Sequence, residues 1–122
     1  MTDRPIAGLL RDLKSRGLLD ETLVIWGGEF GRTPKINKDV GRDHWGPAAS
    51  LLFCGAGVVP GRVLGQTDRD GGQVVDSPIG PADVAFTIYR ALGIDPHKHL
   101  YTPDGRPVPI LAEGRQIEAL YG

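Results

Sequence analysis

The chain has 122 residues, with 14 Lys+Arg against 15 Asp+Glu for a formal charge of −1, and 40% of it is apolar. Those values exclude an intrinsically disordered tail and a broadly basic nucleic-acid binder, and leave enough chain for one domain, or a domain fragment, over residues 1–122. No apolar run reaches the roughly 20 residues that cross a bilayer, no export signal is visible, and the single cysteine, Cys54, rules out an internal disulfide or a cysteine-based zinc cluster.

Ile6, Leu9, Leu10 and Leu13 recur at helical spacing between a start at Asp3 and Pro5 and a stop at Gly17, which predicts an amphipathic helix of about three turns. Thr22-Leu23-Val24-Ile25-Trp26 is a β-favouring run without polar alternation, the pattern of a strand covered on both faces, so helix and strand together read as half of a βαβ unit. Residues 27–47 have no period and read as one long loop. Ala48 to Cys54 predicts a second interior strand, ended by Gly55-Ala56-Gly57. Arg62-Val63-Leu64 and Gln73-Val74-Val75 read as short extended segments around the Asp68-Arg69-Asp70-Gly71-Gly72 turn. Val84, Ala85, Ile88 and Leu92 trace a second helix that Pro81 opens and Gly93 stops. The tail from Asp95 is rich in proline and turns, with a short helix at 116–120, and is expected to run over the surface. Two strands apolar on both faces need neighbours and covering layers that the rest of the sequence hardly supplies.

The long loop holds the residues with chemistry. Gly27-Gly28-Glu29-Phe30-Gly31-Arg32 leaves a strand end, where open α/β sheets place their ligands, and Glu29 offers an oxygen for a divalent cation. The alternative is a solvated Glu29 paired with Arg32. Gly41-Arg42-Asp43-His44-Trp45-Gly46 lies just before the second strand, so one loop can bring Glu29, Asp43 and His44 together. Asp43 and His44 are neighbours whose side chains diverge on an extended backbone, and the imidazole of His44 is the better ligand of the two. The alternative for His44 is a ring packed under Trp45. Arg32 and Arg42 are guanidinium forks suited to a tetrahedral oxyanion. Gly55 to Gly61 imitates a dinucleotide fingerprint that Pro60 breaks, Asp68 to Gly72 lacks the later glutamate of a calcium loop, and His97 with His99 has no third ligand. Cys54 reads as a small core residue.

From Leu9 to about Pro109 the chain resembles the C-terminal part of the bacterial domain-of-unknown-function family 1501, itself similar to the alkaline-phosphatase and sulfatase superfamily. The resemblance rests on residues 18–26, on Gly28-Glu29-Phe30-Gly31-Arg32-Thr33-Pro34, on Gly41-Arg42-Asp43-His44-Trp45, and on Pro81-Ala82-Asp83 through Ala91-Leu92-Gly93-Ile94-Asp95-Pro96. It implies an α/β fold: part of a three-layer alkaline-phosphatase-like core, with few strands, two flanking helices and long loops. It also implies a divalent metal ion (zinc, calcium or magnesium) held by Glu29, Asp43 and His44, with Phe30 standing where a second ligand would be. Arg32 and Arg42 would clamp a phosphate or sulfate ester substrate.

The superfamily's nucleophile has no counterpart in this sequence. The expected function is therefore a hydrolase segment that is inactive alone. Its partner is the missing N-terminal half of the same domain, or another chain covering the open sheet. The alternative is a noncatalytic oxyanion-binding or interaction domain. Family members look exported to the periplasm or beyond, whereas this chain, without a visible signal, reads by itself as cytoplasmic.

Overall fold

Asp3 and Lys14 complement the two ends of the first helix, and Gly17 closes it at φ +70°. In the computed structural model, which describes residues 2–122, this helix is α1, Asp3–Ser15. The amide of Leu18 donates to the Leu13 carbonyl at 2.9 Å and seals the last turn. Ile6, Ala7, Leu10 and Leu13 are half-buried, whereas Leu9 is exposed, so the packed stripe is narrower than the sequence pattern.

The two apolar runs form strands β1 (Val24–Gly27) and β4 (Leu51–Cys54). They pair with each other, antiparallel, in the register Val24↔Cys54, Ile25↔Phe53, Trp26↔Leu52 and Gly27↔Leu51. This corrects the βαβ expectation, because a parallel crossover needs both strands to run the same way. It also corrects the interior position: Trp26 is 47% exposed, Leu51 43% and Leu52 41%. Only the Val24/Ile25 and Phe53/Cys54 end is half-covered. There the Ala56 amide donates to the Leu19 carbonyl at 2.9 Å. Gly55, at φ +85°, faces the carbonyls of Leu19 and Thr22 too closely for any side chain.

The segment expected as an unbroken loop carries a two-residue ladder, β2 (Gly31–Arg32) against β3 (His44–Trp45). Further on, β5 (Gln66–Thr67) pairs with β6 (Val74–Asp76), so the first of the two extended segments lies beyond Arg62-Val63-Leu64. The Asp68 carboxylate, accepting from the Gly72 amide at 2.7 Å, shapes the turn between them. The Trp45 indole donates to the Gly72 carbonyl at 2.6 Å, tying that turn to β3.

These elements make up one compact unit, which runs to Ser77; a second runs from Pro78 to Gly122. In the second, α2 (Pro81–Ala91) starts at proline as its sequence implies, and Gly93 follows at φ +74°. The tail is corrected from a surface strap. It pairs β7 (His99–Tyr101) with β8 (Pro107–Pro109), then buries Ile117 and Leu120 to 8% exposure each around a short 3-10 turn, Glu118–Leu120. Thr87 and Pro96 are fully buried in this unit. Among the described residues the fold is mixed α/β: two α-helices with small, two-stranded antiparallel sheets.

Candidate functional site

The β2–β3 ladder positions the candidate residues. Gly31 pairs with Trp45 and Arg32 with His44. Opposite residues of an antiparallel pair share a face, so the guanidinium and the imidazole emerge on the same side. Phe30, two positions before Arg32, joins them. Its ring centroid lies 3.9 Å from that of His44 at an interplanar angle of 36°, and the Arg32 guanidinium carbon stands 5.2 Å from the same centroid. A cation over an exposed aromatic face contributes about 0.5–1 kcal/mol. His44 is thus stacked on Phe30, not under Trp45, and Phe30 is the site residue that sequence reasoning assigned no supporting role.

Glu29 is exposed on the turn between β1 and β2. Among the described residues no ion pair joins it to Arg32. Asp43 points elsewhere than His44, its carboxylate accepting from the Asn37 side-chain amide at 2.9 Å. Its backbone amide donates to Thr33 Oγ1 at 3.0 Å. Arg42 spends Nη1 on the carbonyls of Thr33 and Pro34, at 2.6 and 2.7 Å, where it braces the loop. Arg32 therefore carries the guanidinium that faces His44, while Arg42 and Asp43 hold the loop that presents it.

Asn37 organises the tip of this loop. Its side-chain oxygen accepts from the amides of Asp39 and Gly41 at 3.0 and 2.9 Å. The turn forces Val40 to φ +60° with its side chain 87% exposed. A β-branched residue in the left-handed region costs about 1–2 kcal/mol without returning any burial here. Val40→Gly is expected to raise stability by about 0.5–1 kcal/mol, the strain relieved less the entropy that glycine gains on unfolding. An unchanged or lower urea midpoint would refute that account of the turn.

Gathering donors is a separate matter from presenting them. Among the described residues no group of three or more His, Cys, Asp or Glu side chains is placed to hold a metal ion. Nor is any helix among them long and apolar enough to cross a membrane.

What these elements define is a small mixed α/β protein that displays an arginine–aromatic–histidine cluster at the end of a strand pair. The sequence model of the family described as Protein of unknown function (DUF1501) matches residues 1–121, and the chain belongs to that family. Neither the curated proteins nor the solved structures gave a match.

Proposed function

We propose that the chain supplies one side of a metal-assisted site for hydrolysis of phosphate or sulfate esters, as part of an alkaline-phosphatase-like core. The observation that carries this reading is the ladder that sets Arg32 opposite His44, directly after β1, with Phe30 stacked on the imidazole. Glu29 and His44 are its metal ligands. Two donors do not fill the coordination sphere of zinc, calcium or magnesium, so the chain's own residues fit the ion only as part of a composite site. When bound, the ion would polarise an ester oxygen and activate the attacking group. Arg32 holds the nonbridging oxygens, Phe30 fixes the His44 ring, and Arg42 and Asp43 keep the loop in shape. The nucleophile and the other donors come from a further polypeptide segment, so the chain alone is inactive.

Calorimetric titration with zinc, calcium and magnesium tests the donor assignment. The expected result is weak binding of one ion, lost in both Glu29→Gln and His44→Ala, with no turnover of nitrophenyl phosphate or sulfate. Equal isotherms for the wild-type chain and both variants, or turnover by the chain alone, would overturn it. The exposed guanidinium of Arg32, held beside the Phe30 ring, supports a second reading, a noncatalytic oxyanion-binding domain. That reading expects metal-free binding of inorganic phosphate, lost in Arg32→Ala and kept in Glu29→Gln.

A further inference from the structure

We propose that Asp68 is a positioning residue for the candidate site: through the Gly72 peptide and the Trp45 indole, its carboxylate fixes the face on which His44 meets Phe30 and Arg32. Asp68 matters to ester hydrolysis only on the reading proposed above, whereas its hold on the cluster is a matter of geometry.

A ladder of two residue pairs, Gly31↔Trp45 and Arg32↔His44, does little to fix its own register. Side chains alternate along a strand, so Trp45 and His44 leave β3 on opposite faces. A slip of one residue would set Trp45 against Arg32 and turn the imidazole away from Phe30. Holding the indole on one face therefore holds the imidazole on the other. Trp45 is half-buried and His44 is exposed, as that division requires. The indole N–H donates to the Gly72 carbonyl at 2.6 Å, a contact made 27 residues further along the chain.

Gly72 is buried, and without a Cβ to limit its angles its carbonyl is free to turn unless its amide is held. The Asp68 carboxylate accepts from that amide at 2.7 Å. Backbone bonds close the same turn without the carboxylate: the Asp68 amide donates to the Gln73 carbonyl at 2.9 Å, and the Gly71 amide to the Asp68 carbonyl at 3.1 Å. The β5–β6 hairpin thus stands without this side chain, and what the side chain adds is the direction of the Gly72 peptide. A Cβ on Gly72 would stand 3.5 Å from Pro34 Cγ, so the turn also lies against the segment that follows β2. Arg42 braces that segment from within the loop, through the carbonyls of Thr33 and Pro34. The Asp68–Gly72 turn is the matching support from outside the loop, set beside Trp45 of β3 and Pro34 just beyond β2.

Nuclear magnetic resonance of the purified chain provides the test. In Asp68→Ala the Trp45 indole proton is expected to exchange about tenfold faster, the scale set by losing one charge-assisted hydrogen bond. The His44 ring protons are expected to lose most of their ring-current displacement from Phe30, while the paired amides of β1 and β4 keep their native protection. Asp68→Asn, which retains an acceptor oxygen, is expected to restore both signals. Native His44 shifts in Asp68→Ala, or an asparagine variant as disturbed as the alanine one, would overturn the proposal. Should Asp68→Ala fail to fold, Trp45→Phe removes the indole donor and leaves the carboxylate in place; it is expected to lose the same His44 displacement, and an unchanged displacement there overturns the proposal equally. None of these signals needs a metal ion or an ester, so a wild-type chain that binds no metal overturns the hydrolase reading alone.

Discussion

Replacing Gly31 with alanine is expected to destabilise the first unit by about 3 kcal/mol or more, at the upper end of what overpacking costs, and to disperse the Arg32–Phe30–His44 cluster. A Cβ at position 31 would run into the carbonyl oxygen of Ala48, with the carbonyl carbon of Ala48 3.0 Å away and the Trp45 carbonyl oxygen 3.2 Å away. All three are backbone atoms, and Ala48 is among the most buried residues of the chain, so no flexible side chain can give way. The strands must part, and with them goes the pairing that sets Arg32 against His44. Urea denaturation measures the loss, and the ring-current shifts of His44 against Phe30 report whether the cluster survives. Gly46→Ala is the control: a Cβ there meets nothing within 4 Å, and its effect is expected to stay within about 0.5 kcal/mol. Equal stability of the two variants would mean that β2 and β3 do not hold the site together.

The helices were legible because their signals are local. Pro81 and Gly93 bracket α2 and Gly17 ends α1 through the backbone conformations they favour, while Asp3 sets its charge at the N-terminal end of α1. Strand existence was legible too, since residues 24–27 and 51–54 are β-favouring and apolar. Their partnership was not, because periodicity carries no direction and an apolar run fits a parallel interior strand as well as an antiparallel ribbon. Two-residue ladders leave no period, so β2 and β3 were invisible inside a stretch dominated by glycine and polar residues. The paired position of β5 depends on how the Asp68–Gly72 turn closes, with the Asp68 amide donating to the Gln73 carbonyl at 2.9 Å. Propensity favours Arg62-Val63-Leu64, and the turn selects Gln66–Thr67 instead.

The same division applies to the site. Glu29, Arg32 and His44 stand out by residue type and by their place beside a strand end, the first two after one strand and His44 before the next. That Asp43 and His44 diverge follows from alternation along an extended backbone, and Asp43 does turn to Asn37. The role of Phe30 depends on which residue lies across the ladder, and the bracing by Arg42 depends on where the carbonyls of Thr33 and Pro34 point. Both are tertiary facts with no local signature. Ile117 and Leu120 escaped for a related reason: a 3-10 turn is too short to show an apolar stripe, and the Ile117 amide is held by a contact made thirty residues upstream.

That contact is Thr87, and Thr87→Val is expected to cost the second unit about 1–3 kcal/mol despite near-identical shape. The Thr87 hydroxyl is fully buried; it donates to the Asp83 carbonyl at 2.8 Å and accepts from the Ile117 amide at 3.0 Å. Valine leaves the Ile117 N–H without a partner in a place water does not reach. One turn back along α2, the Asp83 carboxylate accepts from the amides of Gly80 at 2.9 Å and Arg115 at 3.0 Å, so two side chains on successive turns clip the tail to the helix. The Gly80 N–H is the main reason that the Asp83 carboxyl sits below its usual value of 3.8; partial burial opposes this, and the Arg115 N–H and charge reinforce it. A depressed folded-state pKa means that protons bind the unfolded chain more readily, so this contribution is complete above the unfolded value and fades as pH falls through the folded one. Thr87→Val is therefore expected to lower the urea midpoint equally at neutral and acidic pH. Asp83→Asn lowers it at neutral pH and converges on the wild-type chain in acid. Loss of protection at the Ile117 and Arg115 amides in the respective variants locates each effect, and a Thr87→Val protein as stable as the wild type would show that the tail is held by apolar burial alone.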